Sequence, residues 1–129
     1  MVEPAPPARG PHPADVDIAR VFAADLAARL SGRLQRAILF GSRARGDALP
    51  GSDWDVLVLV DAYDRETRRA VSEAAWERDP AFIDVQIFTP ERWAWSQHAQ
   101  APLLKHALAE GLAVWPETTT IGEASSRPT

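Results

Sequence analysis

The chain has 129 residues, 46% hydrophobic and 25% charged, with a formal net charge of −4 and no cysteine. That length supports one core rather than two, and the absence of thiols excludes disulfides, thiolate nucleophiles and cysteine-ligated zinc. The acidic balance disfavours a nucleic-acid partner, which needs clustered Lys and Arg, and no apolar run approaches the roughly 18 residues that cross a bilayer.

Residues 1–14 carry Pro4, Pro6, Pro7, Pro11 and Pro13, which fix too many φ angles for a helix or inner strand, so a disordered lead is expected. It has neither the apolar segment nor the basic start of a secretory signal, and a cytoplasmic location without membrane attachment is the expectation. A domain is expected over 15–115 and a flexible tail over 116–129. From Asp15, read as an N-cap, apolar residues recur at Val16, Ile18, Val21, Phe22, Leu26 and Leu30, a helical stripe that stops at Ser31-Gly32. Gln35–Phe40 suits a short buried strand ending at Gly41.

Trp54–Val60 is apolar on both faces, as a central strand requires. Asp61 to Asp79 reads as a polar helix, with Val71, Ala75 and Trp76 available for packing and Pro80 as its stop. Phe82–Phe88 is a further strand. Thr89-Pro90-Glu91 supplies a cap, a proline at the first helical position and an acid in the first turn of another helix. A last helix over Pro102–Glu110 is expected to close on Gly111 in the left-handed conformation, before a strand at Leu112–Trp115. The fold class is therefore α/β, a short mixed sheet with packed helices.

Chemistry concentrates between the first two strands. Gly41-Ser42-Arg43-Ala44-Arg45-Gly46 is a loop that can approach a phosphate closely, with N–H groups and the Ser42 hydroxyl as donors. Asp53 and Asp55 follow, two apart on an extended segment, with Cβ atoms about 6.5–7 Å apart on one face and Trp54 on the other. Two such carboxylates repel unless a cation lies between them, and Mg²⁺ favours a few carboxylates plus substrate phosphate oxygens. Asp84, between Ile83 and Val85, would join them if its strand pairs beside Trp54–Val60, and Gln86 would share its face. Gly41 and Gly46 have the spacing of a P-loop, but Asp47 stands where the essential lysine belongs, which rejects that class. His98 and His106 read as helix-surface residues, and Ser96 has no adjacent base. Core packing accounts for Trp76, Trp93, Trp95 and Trp115; Trp93, Trp95 and Trp115 are also candidates for an apolar docking patch.

The order Gly41-Ser42, Arg45-Gly46, Ser52-Asp53-Trp54-Asp55 and a later lone Asp84 resembles the polymerase-β nucleotidyltransferase superfamily, most closely its minimal single-domain members. The resemblance covers about residues 38–115, including the closing Glu110-Gly111-Leu112-Ala113-Val114-Trp115. It implies a polymerase-β palm-like fold and Mg²⁺-dependent transfer of AMP from ATP to a hydroxyl. It further implies two Mg²⁺ ions held by Asp53, Asp55 and Asp84, the last also acting as base. Gly41 and Ser42 would hold the phosphates, with Arg45, or Arg43, on the leaving group. A helical partner protein is implied as the acceptor, with this chain as the antitoxin of a toxin–antitoxin pair. The alternatives are a non-catalytic nucleotide-binding or antitoxin module and an adenylyltransferase of small molecules such as antibiotics.

Overall fold

Pro13 opens the first helix, α1 (Pro13–Leu30), in the computed structural model, which describes residues 10–116. The start falls two residues before Asp15, because a proline fits the first turn, where its missing N–H has no intrahelical partner to lose. Of the lead expected over 1–14, residues 1–9 lie outside the described residues and Pro13 and Ala14 are helical; of the tail over 116–129, only Pro116 is described. Helix α1 buries Val16, Ala19, Phe22, Ala23, Leu26 and Leu30 and stops at Ser31, which takes a left-handed φ of 51°. Val21, expected on the buried stripe, is exposed.

The chain then runs through β1 (Leu34–Phe40), the single-turn helix α2 (Ser42–Arg45), β2 (Trp54–Val60), α3 (Arg65–Trp76), β3 (Ile83–Phe88), α4 (Pro90–Ala99), α5 (Pro102–Glu110) and β4 (Leu112–Trp115). The four strands form one mixed sheet in the order β3-β2-β1-β4. β1 is antiparallel to both neighbours, whereas β2 and β3, joined through α3, are parallel. Alternation along β2 divides the core. Trp54, Val56, Val58 and Val60 pack with α1 and α3, while Leu57 packs on the opposite face with Phe40, Phe88, Leu104 and Ala107 beneath α4 and α5.

Side-chain caps start two of the helices. Asp64 accepts from the Thr67 N–H at 2.9 Å to open α3, and Thr89 accepts from the Arg92 N–H at 3.2 Å to open α4, satisfying amides with no partner inside the helix. Helix α3 buries Thr67, Ala70, Val71 and Ala74, and Trp76 falls roughly 200° around from Ala74 at 100° per residue. Trp76 is accordingly 76% exposed rather than in the core, and Trp95 is 66% exposed. Trp93 meets Phe88 edge-on, with ring centroids 6.2 Å apart, and Trp115 Nε1 donates to the Leu34 carbonyl at 3.3 Å. Of the three tryptophans considered for docking, only Trp95 lies open. Among the described residues, no helix is long and apolar enough to cross a membrane.

Gly111 differs from its expected role. It is extended, with φ −79° and ψ 160°, and glycine is required there by close approach: a Cβ would collide with the Ala107 carbonyl oxygen and with Ile38. Gly111→Ala is therefore expected to cost about 1–3 kcal/mol, the usual range for overpacking, read as a lower urea midpoint at unchanged slope. An unchanged midpoint would mean that the end of α5 can move off β1 freely.

Candidate active site

Parallel pairing of β2 with β3 sets Asp55 directly beside Asp84, so the two carboxylates share one face about 4.8 Å apart at the backbone. On its other side Asp55 pairs with Phe40, the last residue of β1. Asp53 precedes β2 and is exposed, while Asp55 and Asp84 are half-buried. Burial pushes the Asp55 carboxyl above the ordinary carboxylate range, and the charges of Asp84, Asp53 and Glu110 act in the same direction; Arg45 opposes them. Among the described residues, no three His, Asp or Glu side chains are drawn together tightly enough to hold a metal ion by themselves. The donor set fits Mg²⁺ in chemistry, being hard carboxylate oxygens whose mutual repulsion a cation would relieve.

Gly41 turns the chain from β1 into α2 with a φ of 78°, and any Cβ on it would strike the Asp55 carboxylate. Only glycine satisfies both demands. Its carbonyl accepts from the N–H groups of Ala44 and Arg45, each at 3.0 Å, while Ser42 occupies the first helical position. Gly41, Ser42 and Arg45 thus lie in one turn beside Asp55, as the sequence suggests. Gln86 follows Asp84 on the same strand face, between it and Phe88, and His98 and His106 are exposed on their helices.

The two arginines diverge. Arg43 contacts Asp15 at 3.2 Å and the Ser52 carbonyl at 2.9 Å, and its guanidinium stacks 3.8 Å from the Trp54 ring centroid. That side chain is committed to tethering α2, α1 and the segment before Asp53, so a phosphate role for Arg43 does not fit. Asp15 is not the N-cap read from sequence but a buried first-turn acid that receives Arg43; Trp54 Nε1 donates to its carbonyl at 3.1 Å. Arg45 lies nearer the surface and bonds both Asp47, at 3.2 Å, and Glu110, at 3.1 Å.

Residues 19–105, more than half of the chain, match the nucleotidyltransferase domain family. The chain belongs to that family. A curated relative from Methanocaldococcus jannaschii, provisionally named a protein adenylyltransferase, is 49% identical over 45 residues, covering 35% of this chain and 46% of that protein. The chain thus matches about half of that relative's length. Two solved structures are similar to it. One is a mutant of the MntA–HpeT toxin–antitoxin, with a TM-score of 0.49 and 22% identity over 79% of this chain and 75% of that one. The other is a tri-AMPylated Shewanella oneidensis HEPN toxin with its MNT antitoxin, at 0.48 and 20% over 85% and 78%.

For a chain of this family, the residue to which sequence reasoning gives no role, though it opens the closing segment of the resemblance, is Glu110. Its Oε2 accepts from the Gly41 N–H at 2.9 Å, and both its oxygens lie 3.1 Å from Arg45 Nη1. Its position at the end of α5, 69 residues from Gly41, leaves no local signal of the pairing.

Because the folded chain raises the Asp55 pKa, the native state binds that proton more tightly than the unfolded chain does. Stability contributed there is present at low pH and is lost as pH rises from the ordinary carboxylate range through the raised value. In metal-free buffer, Asp55→Asn is expected to raise the melting temperature at neutral pH, with the gain vanishing below about pH 3. A clear drop at neutral pH would make Asp55 a structural residue.

Proposed function

We propose that the chain transfers AMP from ATP to a hydroxyl on a partner protein and releases pyrophosphate. The observation that carries this reading is the side-by-side register of Asp55 and Asp84 with Gly41 packed against Asp55. It brings acidic oxygens, a close-approach glycine and an arginine to one end of the sheet. Asp53, Asp55 and Asp84 would hold Mg²⁺, two ions in the pattern of the superfamily. When bound, that metal neutralises triphosphate charge and polarises the α-phosphoryl group.

The remaining work falls to side chains. The Ser42 hydroxyl donates to the β/γ-phosphates beside Gly41. Arg45, still held by Glu110 but only weakly by the solvent-exposed Asp47, meets the pyrophosphate as its bridging bond to the α-phosphorus breaks. Asp84 takes the proton of the acceptor hydroxyl while that oxygen bonds to the α-phosphorus. The name carried by the Methanocaldococcus relative supports a protein as acceptor, and the resemblance to minimal nucleotidyltransferases supports a helical partner, with this chain as the antitoxin of the pair.

Co-purification with the partner, followed by intact mass spectrometry with ATP and Mg²⁺, tests the reading. The partner should gain the mass of one or more AMP groups, and Asp53→Asn should abolish the gain. A stable complex without mass change would favour a binding module, and no partner at all would redirect the search to small-molecule hydroxyls.

Asp84→Asn separates base from binding residue. Transfer is expected to fall on the order of 10²–10⁴-fold, with ATP affinity reduced much less. Lost ATP affinity with normal single-turnover transfer would remove the base role.

A further inference from the structure

Glu110 is the last residue of α5, and the glycine after it presses that helix end onto β1, where a Cβ would meet Ile38 and the Ala107 carbonyl oxygen. The helix end is therefore a fixed platform. From it the Glu110 carboxylate crosses to the loop after β1, accepting from the Gly41 N–H at 2.9 Å and facing Arg45 Nη1 with both oxygens at 3.1 Å. Its side chain is 27% exposed against 62% for Asp47, the other carboxylate on Arg45. Shielding of this kind strengthens a charged hydrogen bond relative to one in open water.

Two features of the loop create a need for such a tether. Gly41 has wide conformational freedom, so holding it at a single positive φ costs more entropy than holding any other residue type. The helix that follows spans only Ser42–Arg45, too short to be stable by itself. Yet Gly41 lies so close to Asp55 that a Cβ would strike its carboxylate, so any drift in the loop changes the surroundings of that acidic group.

We propose that Glu110 is a positioning residue for nucleotide transfer: it holds Gly41 and Arg45 in the arrangement that receives the triphosphate, and it keeps those contacts when the nucleotide binds. The inference rests on the nucleotidyltransferase reading above and adds a residue to it. It is opposed to a second role open to the same carboxylate, an occupant that the phosphates must displace, and the two make opposite predictions. Loss of a positioning residue weakens triphosphate binding; loss of a competitor tightens it.

The test compares Glu110→Ala and Glu110→Gln with the wild-type chain. Calorimetry with ATP and Mg²⁺ is paired with an NMR titration of AMP, which lacks the β- and γ-phosphates. Glu110→Ala should weaken ATP by about 10- to 100-fold, the scale of one charged hydrogen bond, and leave AMP unchanged. Glu110→Gln keeps an acceptor for the Gly41 N–H and should recover part of the loss. Amide exchange at Gly41 in the nucleotide-free protein should be faster in Glu110→Ala than in wild type, a readout independent of transfer. Unchanged or tighter ATP binding in Glu110→Ala would overturn the proposal, as would an equal loss for AMP, which marks a general effect on the fold. If Glu110→Ala does not fold, Glu110→Gln decides by the same ATP and AMP comparison, and wild-type affinity there with a slow Gly41 amide would count against the charged tether. Failure of the wild-type chain to bind ATP with Mg²⁺ would instead overturn the functional reading and is distinguishable from all of these.

Discussion

The parallel register of β2 and β3 constrains everything around it, because it sets Asp55 and Asp84 abreast. Register neighbours on adjacent strands put like charges close together on one face, which either strand alone would avoid. The fold does not relieve this by exposing both groups. It half-buries them at the end of a core in which Val56, Leu57 and Val58 are fully enclosed, so water screens the repulsion incompletely. The raised pKa of Asp55 is the electrostatic trace of that choice.

The surrounding residues make sense as means of holding a strained arrangement in place. Arg43 gathers Asp15 of α1, the Trp54 ring and the Ser52 carbonyl into one contact set. A buried ion pair of this type is weak evidence for stability, since desolvation offsets much of the attraction. Its geometric effect is clearer. Ser52 adjoins Asp53, and Trp54 separates Asp53 from Asp55, so one guanidinium fixes the path of the backbone into both carboxylates. Glu110 acts on the other strand end in the same manner, through Gly41.

Elements dictated by local chemistry are legible in the sequence. Trp54–Val60 reads as a strand because its apolar run is long enough for burial on both faces, and Pro102–Glu110 reads as a helix because a proline starts it and a glycine follows it. The acidic pair and the glycine turn are legible for the same reason, being short-range patterns with one dominant chemistry. What stays hidden depends on partners far along the chain. Nothing near Arg43 announces Asp15, 28 residues earlier, and nothing near Glu110 announces Gly41. Trp76 and Trp95 mislead because hydrophobicity alone does not say which side of a helix meets the core. Gly111 misleads in another way: the identity of the residue is a true signal, but its cause is a crowded contact and not a left-handed turn.

The opposite end of the sheet completes the physical logic. There Arg33, just before β1, reaches Asp61 at 2.8 Å, Asp64 at 2.9 Å, Glu66 at 3.0 Å and the Thr67 hydroxyl at 3.0 Å, joining the start of β1, the end of β2 and the first turn of α3. Such pairs are individually weak at a surface, but here one planar guanidinium serves several acceptors and the desolvation of a single cation is shared. Acids outnumber the cation there and are still satisfied, because each has a donor within reach. At the Asp55 end the acids also outnumber the cations, yet Asp55 and Asp84 lie side by side while Arg43 is directed to Asp15 and Arg45 to Asp47 and Glu110. The difference is one of hydrogen-bond partners and not of charge count. It leaves the protein with one end where the acids share a guanidinium and another where two carboxylates stand abreast while the nearby arginine is engaged elsewhere.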